Sequence, residues 1–148
     1  MSDKKIQLRI VTPDKTVVDT PVEAVGAIGS EGAFTALPGH LPFLTDLKPG
    51  LLWYRSEGKT RDLAVSGGFI EVMPDHASVL ADSAEYLEEI DVERAQRALK
   101  RAEERLAKAR AEADSAEHGT LVDVSRATIS MNKAANRIKL AARRISSR

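Results

Sequence analysis

Histidine is the residue most often recruited for acid–base chemistry and metal binding, and this chain has three, at positions 40, 76 and 118. They are widely separated. The chain has no cysteine, so thiolate nucleophiles, disulfides and sulfur-ligated metal sites are excluded. No serine, carboxylate and histidine stand in an arrangement typical of a nucleophile with its base. The sequence therefore predicts no catalytic residue and no metal ligand, and we expect a protein that acts by binding partners.

Two other segments could in principle contact a ligand. Glycines 26, 29 and 32 are spaced like those of a phosphate loop, but the lysine and hydroxyl residue of such a loop are missing and no helix follows. Turns and bulges between strands are the better interpretation. The segment Pro38–Pro42 is more unusual, because two prolines and a glycine fix a loop that displays His40. On residue chemistry alone it is a structural turn, since a hydrolase built on His40 would lack a nucleophile.

Positive charge near the C-terminus is the strongest chemical signal. Residues 1–90 hold 8 basic and 14 acidic side chains, a net of −6, and residues 91–148 hold 14 and 8, a net of +6. From Leu121 onward, seven basic residues stand against one acid, Asp123. Such a segment is typical of proteins that bind a negatively charged partner: phosphate, nucleic acid or an acidic protein surface. The basic residues form two stripes, in which the intervals between neighbours are mostly three or four residues. The first stripe is Arg94, Arg97, Arg101, Arg105 and Lys108, and the second is Arg126, Lys133, Arg137 and Arg144.

Short strands are predicted for the first half of the chain. Residues 6–10 alternate between apolar and polar, which is typical of a half-buried strand. Hairpins are indicated around Ser56–Lys59 and around Pro74–Asp75, each flanked by β-branched or aromatic runs. Strands and turns at this spacing predict a β-sandwich or flattened barrel over about residues 5–82.

An alanine-rich helical hairpin is predicted for the rest. Asp91 is placed to cap a first helix, and Gly119 to end it. Because large side chains are few, we expect a marginally stable antiparallel hairpin that can open or re-dock. Each helix carries one apolar seam at alternating intervals of three and four: Ala95, Leu99, Ala102, Leu106, Ala109, Ala113 and Ala116 on the first, and Leu121, Val124, Thr128, Met131, Ala135, Ile138, Ala142 and Ile145 on the second.

The order of these features closely resembles the epsilon subunit of the bacterial F-type ATP synthase. The resemblance covers the whole chain and implies a ten-stranded β-sandwich, residues 1–86, followed by a C-terminal antiparallel two-helix hairpin, residues 87–148. The Pro-Gly-His-x-Pro and Ser-Gly-Gly-Phe motifs are its most specific parts. The matching segments are Val11–Pro13, Gly29–Gly32, Leu37–Thr45, Leu47–Gly50, Ser66–Val72 and Val79–Asp82, followed by Glu85, Glu89–Asp91 and Arg94–Ala95.

The resemblance implies a non-catalytic subunit of the central rotor stalk that couples proton transport to ATP synthesis and inhibits ATP hydrolysis through its movable hairpin. The implied partners are the gamma subunit, the ring of c subunits and, when the hairpin extends, the alpha/beta catalytic head. Contacts with the c ring are implied for Glu31, His40, Leu41 and Pro42, although a second acid common in the family is replaced by Ala33. The implied location is the cytoplasmic face of the bacterial inner membrane, reached only through the complex.

Some members of the family bind ATP on the folded hairpin through an Ile-Asp-x-x-Arg-Ala segment, which residues 90–95 match. The resemblance therefore implies no required cofactor but ATP as a regulatory ligand. Lys133 stands where an arginine is usual and lacks its bidentate fork, so we expect weak binding. The implied residues are Glu85, Ile90, Asp91, Arg94, Ala95, Arg101, Lys133 and Arg137. The alternative interpretation of Asp91 and Arg94 is a helix cap followed by a first-turn charge.

A nucleic-acid-binding module is the competing interpretation of the basic hairpin. Such modules usually add aromatic or polar side chains that read the bases. The hairpin has no aromatic residue after Tyr86, so base stacking is unavailable to it. We therefore expect no nucleic-acid partner.

Overall fold

The computed structural model describes residues 3–113 and 121–146, with the side chains of 3–112 and 123–143. Within those residues, ten strands are followed by a short 3-10 helix, Leu87–Glu89, and by two α-helices, α1 (Val92–Ala113) and α2 (Leu121–Ser146). The predicted β-sandwich with a C-terminal helical hairpin is confirmed. The strands are β1 (Ile6–Val11), β2 (Thr16–Val22), β3 (Ala24–Gly29), β4 (Gly32–Ala36), β5 (Phe43–Asp46), β6 (Gly50–Ser56), β7 (Lys59–Ser66), β8 (Phe69–Val72), β9 (His76–Leu80) and β10 (Ser83–Tyr86).

The strands form two five-stranded sheets, in the orders β2-β1-β9-β8-β5 and β10-β7-β6-β3-β4. Among the described strand pairs, β1 with β9 is the parallel pair, and the others are antiparallel. Both predicted hairpins are present. The β6–β7 turn has positive φ at Glu57 (51°) and Gly58 (73°), which matches the right-handed twist of the strands it joins.

The core of the sandwich lies between the two sheets and follows from strand alternation. Ile6, Leu8 and Ile10 on β1 are completely buried, as their spacing predicts. Leu52 and Leu63, on paired strands of the other sheet, are also completely buried. The apolar sides of both sheets therefore meet in one layer, and the polar alternates face outward.

Gly68, in the Ser-Gly-Gly-Phe motif, explains why that motif needs glycine. Its φ is +95°, a conformation that side chains disfavour. A Cβ there would overlap the carbonyl oxygen of Leu80 and lie 2.8 Å from Cα of Ala81. The missing side chain lets the chain entering β8 approach the end of β9.

Helix α1 begins with the cap that the sequence predicts. The Asp91 carboxylate accepts a hydrogen bond from the backbone N–H of Arg94 at 2.9 Å, and its carbonyl accepts one from the N–H of Ala95 at 3.0 Å. The bond to Arg94 satisfies a donor that the first turn of a helix leaves open, and the bond to Ala95 is the first one within the helix. The described part of α1 ends at Ala113, so the expected helix end at Gly119 lies outside the described residues.

The apolar seam of α1 is confirmed over the described residues. Ala95, Ala102, Leu106 and Ala109 are at most 6% exposed, and Leu99 is half-buried. Alanine thus recurs every seven residues, with leucines between, as in a helix packed along one partner helix. The side chains of Ala113 and Ala116 lie outside the described set.

For α2, the predicted seam is wrong at two of its alanines. Ala135 and Ala142 are exposed, and Ala127, Ala134 and Ala141 are buried instead. Adjacent alanines occur at 134–135 and 141–142, so hydrophobic periodicity cannot distinguish between them. Packing against the alanines of α1 selects the buried set. Half-buried side chains on this face are Val124, Thr128, Met131 and Ile138.

The chain divides into two compact units, Met1–Glu89 and Ile90–Arg148. The division falls three residues after the boundary expected from the sequence. In the described part of the chain, neither helix is long and apolar enough to cross a membrane.

Candidate binding surfaces

The loop between β4 and β5 is held in one shape by backbone hydrogen bonds. The N–H of Gly39 donates to the carbonyl of Pro74 at 2.8 Å, and the N–H of His40 donates to that of Leu37 at 3.0 Å. Nδ1 of His40 lies 2.6 Å from the carbonyl oxygen of Leu41, which requires that nitrogen to carry the proton. The loop is therefore ordered, yet the Leu41 side chain is 79% exposed.

Glu31 does not belong to this loop in space. It is exposed in the turn between β3 and β4, and the loop begins at the other end of β4. A strand of five residues separates them, which corresponds to roughly 16 Å. The structure brings His40, Leu41 and Pro42 together but places Glu31 at a separate position.

An apolar row on the outer side of the first sheet was not predicted from the sequence. Its members, Leu44, Phe69 and Leu80, are 68%, 56% and 61% exposed. Phe69 is directly opposite Leu80 on β9 and opposite Asp46 on β5, so these side chains share one side of the sheet. Alternation was the available signal, because Ile70 and Val79 are buried and their neighbours must face outward.

The residues implied for ATP binding fall in both units. Glu85 is half-buried on β10, in the first unit. The other seven belong to the second unit. Asp91, Arg94 and Ala95 lie at the start of α1, and Lys133 and Arg137 lie one turn apart on α2, both half-buried. The carboxylate of Asp91 serves as the helix cap, so that alternative interpretation of this residue is confirmed.

The basic stripe of α1 is only partly neutralised within the helix. Arg97 lies 3.8 Å from Glu93, and Lys108 lies 4.0 Å from Glu112, each pair one turn apart. Arg94, Arg101 and Arg105 also have exposed side chains. Exposed pairs of this kind contribute little to stability, so the charges remain available to an acidic partner.

A groove of about 310 Å³ lies between the second half of α1 and the first part of α2. Ala109 and Ala127 form its floor, because small side chains leave space between the helices. Three of the lining side chains are basic and two are acidic, so the lining has a small net positive charge. The rest of the lining consists of Arg105, Lys108, Glu112, Asp123, Arg126 and Ser130. No residue implied for ATP binding lines the groove.

A group of polar and aromatic side chains, the tyrosine cluster (Tyr54, Arg61, Tyr86 and Glu88), lies at one end of the second sheet. The hydroxyls of Tyr54 and Tyr86 are 2.8 Å apart and share a hydrogen bond. The guanidinium carbon of Arg61 lies 4.4 Å from the centre of the Tyr86 ring, and its Nη2 donates to Oε1 of Glu88 at 3.0 Å. Burial, and secondarily the hydrogen bond that Tyr86 donates to Tyr54, raises the pKa of Tyr86 to about 12. No single local pattern marks these four residues.

A β-sandwich with exposed apolar side chains, followed by a basic helical hairpin, defines the class of the protein. The chain belongs to the family of ATP synthase delta/epsilon chains. The family's β-sandwich domain matches residues 5–87, and its long α-helix domain matches residues 88–142. The resemblance found in the sequence is confirmed.

Similar proteins from bacteria are ATP synthase epsilon chains. The chain of Nitratidesulfovibrio vulgaris strain Hildenborough is 52% identical over 105 residues, which cover 71% of this chain and 78% of the relative. That of Carboxydothermus hydrogenoformans is 54% identical over 108 residues, covering 73% and 80%. That of Bacillus subtilis is 47% identical over 103 residues, covering 70% and 78%.

Solved structures with the same fold come from mitochondrial ATP synthases. A chain of the Euglena gracilis ATP synthase OSCP/F1/c-ring structure superimposes with a TM-score of 0.70 at 24% identity, covering 92% of this chain and 81% of that one. A chain of the Tetrahymena thermophila central stalk/c-ring structure gives a TM-score of 0.56 at 18% identity, covering 93% and 98%. At these identities the likeness supports the fold alone.

Proposed function

We propose that this chain is a regulatory epsilon subunit of a bacterial F-type ATP synthase, in which the sandwich anchors to the central stalk and the hairpin moves to inhibit ATP hydrolysis. The observation that carries the proposal is the division into a sandwich unit with exposed apolar surfaces and a basic helical unit packed mainly through alanines. Family membership supports the first half of it, and the character of the hairpin supports the second.

The sandwich is proposed to bind the gamma subunit through the apolar row and the c ring through the loop that carries His40, Leu41 and Pro42. Exposed apolar side chains that lie side by side are typical of surfaces that become buried in a complex. Glu31 would make its own contact at the other end of β4. These contacts would hold the chain at the cytoplasmic face of the inner membrane through the complex.

The hairpin is proposed to act as a brake that is easily released. Each buried alanine removes far less apolar surface from water than a leucine would, so the helices are held together weakly. A difference of a few kcal/mol between a folded and an extended state is enough for a partner or ligand to shift the population. The basic stripes would be attracted to acidic surfaces of the alpha/beta catalytic head.

Reconstitution tests this function. The complete chain is mixed with a purified ATP synthase head and stalk that lack their own epsilon subunit, and ATP hydrolysis is measured. We expect binding and inhibition by the complete chain. A chain ending at Glu89 should still bind but should not inhibit. Failure of the complete chain to bind would refute the anchoring role, and equal inhibition by the shortened chain would refute the brake.

ATP is proposed as a regulatory ligand of the hairpin residues rather than as a required cofactor. Asp91→Asn keeps an oxygen that can cap α1 but removes the charge, whereas Asp91→Ala removes both. If Asp91 contacts ATP, Asp91→Asn should weaken ATP binding while thermal unfolding of the chain stays unchanged. Arg94→Ala should also weaken binding, and Arg97→Ala, on the same helix but outside the implied set, is the control. Unchanged ATP affinity in Asp91→Asn and in Arg94→Ala would leave the cap as the only role of this segment.

A further inference from the structure

The last strand of the sandwich, β10, leads through the 3-10 helix directly to the hairpin. Residues 83–89, which we call the strap, include this strand and that helix. β10 has only four residues and lies at the edge of its sheet, where it pairs with β7. A short edge strand has few backbone hydrogen bonds, so side-chain contacts must decide whether it stays in place.

The tyrosine cluster holds the strap on the inner side of the sheet. Tyr86 packs against the sandwich core and bonds to Tyr54, a buried residue two strands away. Arg61 covers the Tyr86 ring and reaches Glu88 in the 3-10 helix. The cluster thus ties both the end of β10 and the following turn to β6 and β7.

A second contact holds the beginning of the strap on the opposite side. Ser83 is directly paired with Ser66 on β7, and their hydroxyl oxygens are 2.5 Å apart. Ser66 is buried and Ser83 is half-buried, so this bond is partly shielded from water. The strap is therefore secured at both ends and on both sides of the sheet.

We propose that the tyrosine cluster keeps the strap on the sandwich while the hairpin moves, and so fixes the point from which the hairpin reaches its target. The inference rests on the proposed function, because it concerns the moving hairpin. If the strap peeled away, seven flexible residues, about 23 Å when extended, would be added to the tether. A longer flexible tether lowers the effective concentration of the hairpin at its target. Arg61 and Tyr86 are then positioning residues for inhibition, although neither lies in the hairpin.

Amide hydrogen exchange of the complete chain tests the contact itself. Arg61→Ala should accelerate exchange in residues 83–89, and Tyr86→Phe, which keeps the ring under Arg61 but loses the bond to Tyr54, should do so to a smaller extent. Arg61→Lys should partly restore protection. The control is Arg55→Ala, which breaks a comparable exposed ion pair to Glu23, 3.2 Å long, elsewhere on the same unit. Unchanged exchange in the strap of Arg61→Ala would overturn the proposal.

An engineered disulfide tests the consequence. The chain has no cysteine, so Ser66→Cys with Ser83→Cys introduces a single bridge at a directly paired position where the two hydroxyl oxygens are 2.5 Å apart. Arg61→Ala should weaken inhibition of ATP hydrolysis several-fold, and the oxidised bridge should restore it, whereas the reduced form of the same protein should not. In a chain with Arg61 intact, oxidation should leave inhibition unchanged.

Loss of inhibition on oxidation of the chain with Arg61 intact would show that the strap must detach, and would overturn the proposal. If the unaltered chain does not inhibit at all, the proposed function fails instead. The hydrogen-exchange comparison then still decides whether the cluster holds the strap.

Discussion

At the scale of single residues, Gly68 sets how closely β8 can approach β9. Gly68→Ala would combine an unfavourable φ of +95° with overlap against the Leu80 carbonyl. We expect it to lower the free energy of unfolding by about 3 to 5 kcal/mol. Gly58→Ala is the matched control, since its φ is also positive, at +73°, but nothing lies within 4 Å of the added Cβ. It should cost only about 1 kcal/mol. Equal losses in urea denaturation would contradict the role of the close approach.

Tyr86 gives the sandwich a specific dependence on alkaline pH. Its pKa is raised from 10.0 to about 12, chiefly by burial. Between these values the unfolded chain releases the phenolic proton and the folded chain retains it, so the unfolded state binds fewer protons and stability falls as pH rises. This contribution is fully present below the unfolded pKa and is lost as pH passes through the folded one. Other groups titrate in the same range, so the comparison with a variant is essential.

Urea denaturation of the unaltered chain and of Tyr86→Phe, measured from about pH 9 to about pH 12, isolates the effect of Tyr86. The unaltered chain should lose stability more steeply with pH than the variant, which has no phenol at this position. Parallel curves would show that the Tyr86 phenol does not retain its proton in the folded state.

At the scale of elements, α2 shows where periodicity stops being informative. The spacing predicted the helix itself, together with the half-buried Thr128, Met131 and Ile138. It could not choose between neighbouring alanines, because Ala134 and Ala135 have the same hydrophobicity and helix propensity. Contacts with the partner helix determine which alanine is buried, and the hydrophobic pattern of one helix contains no information about those contacts.

A leucine placed at each of these two positions tests the corrected seam. Ala134→Leu would add three carbons at a position that is 3% exposed, so neighbouring side chains would have to shift to accommodate them. We expect it to destabilise the hairpin by about 1 to 3 kcal/mol. Ala135→Leu adds the same side chain on the exposed side and should change stability little. Hydrogen exchange in α1 and α2 measures the difference, and the reverse order of effects would restore the original prediction.

At the scale of the whole molecule, the sequence indicated both units because each is built from local periodicity. Alternation located β1, turn chemistry located the β6–β7 and β8–β9 hairpins, and a cap located the start of α1. The pairing of β1 with β9 had no local signal, since it joins strands that are distant along the chain. The tyrosine cluster could not be predicted from the sequence for the same reason, because residues 54, 61, 86 and 88 come together only after the second sheet has formed. The contact residues around Glu31 and His40 came from the resemblance, and they remain predictions.

The opposite net charges of the two units lead to a prediction about salt. If the basic hairpin is drawn to an acidic surface, its attraction should weaken as ions screen it, whereas the apolar row should hold the sandwich at any ionic strength. The screening length falls from about 14 Å to about 4 Å between roughly 50 mM and 500 mM salt. Inhibition of ATP hydrolysis by the complete chain should decline over this range.

Binding of the chain that ends at Glu89 should stay nearly constant over the same range, and this chain serves as the control. The hydrolytic rate of the complex without any epsilon subunit, measured at each salt concentration, provides the baseline. Inhibition that is independent of salt would place the attraction in apolar contacts of the hairpin, and the basic stripes would then be solvated surfaces only.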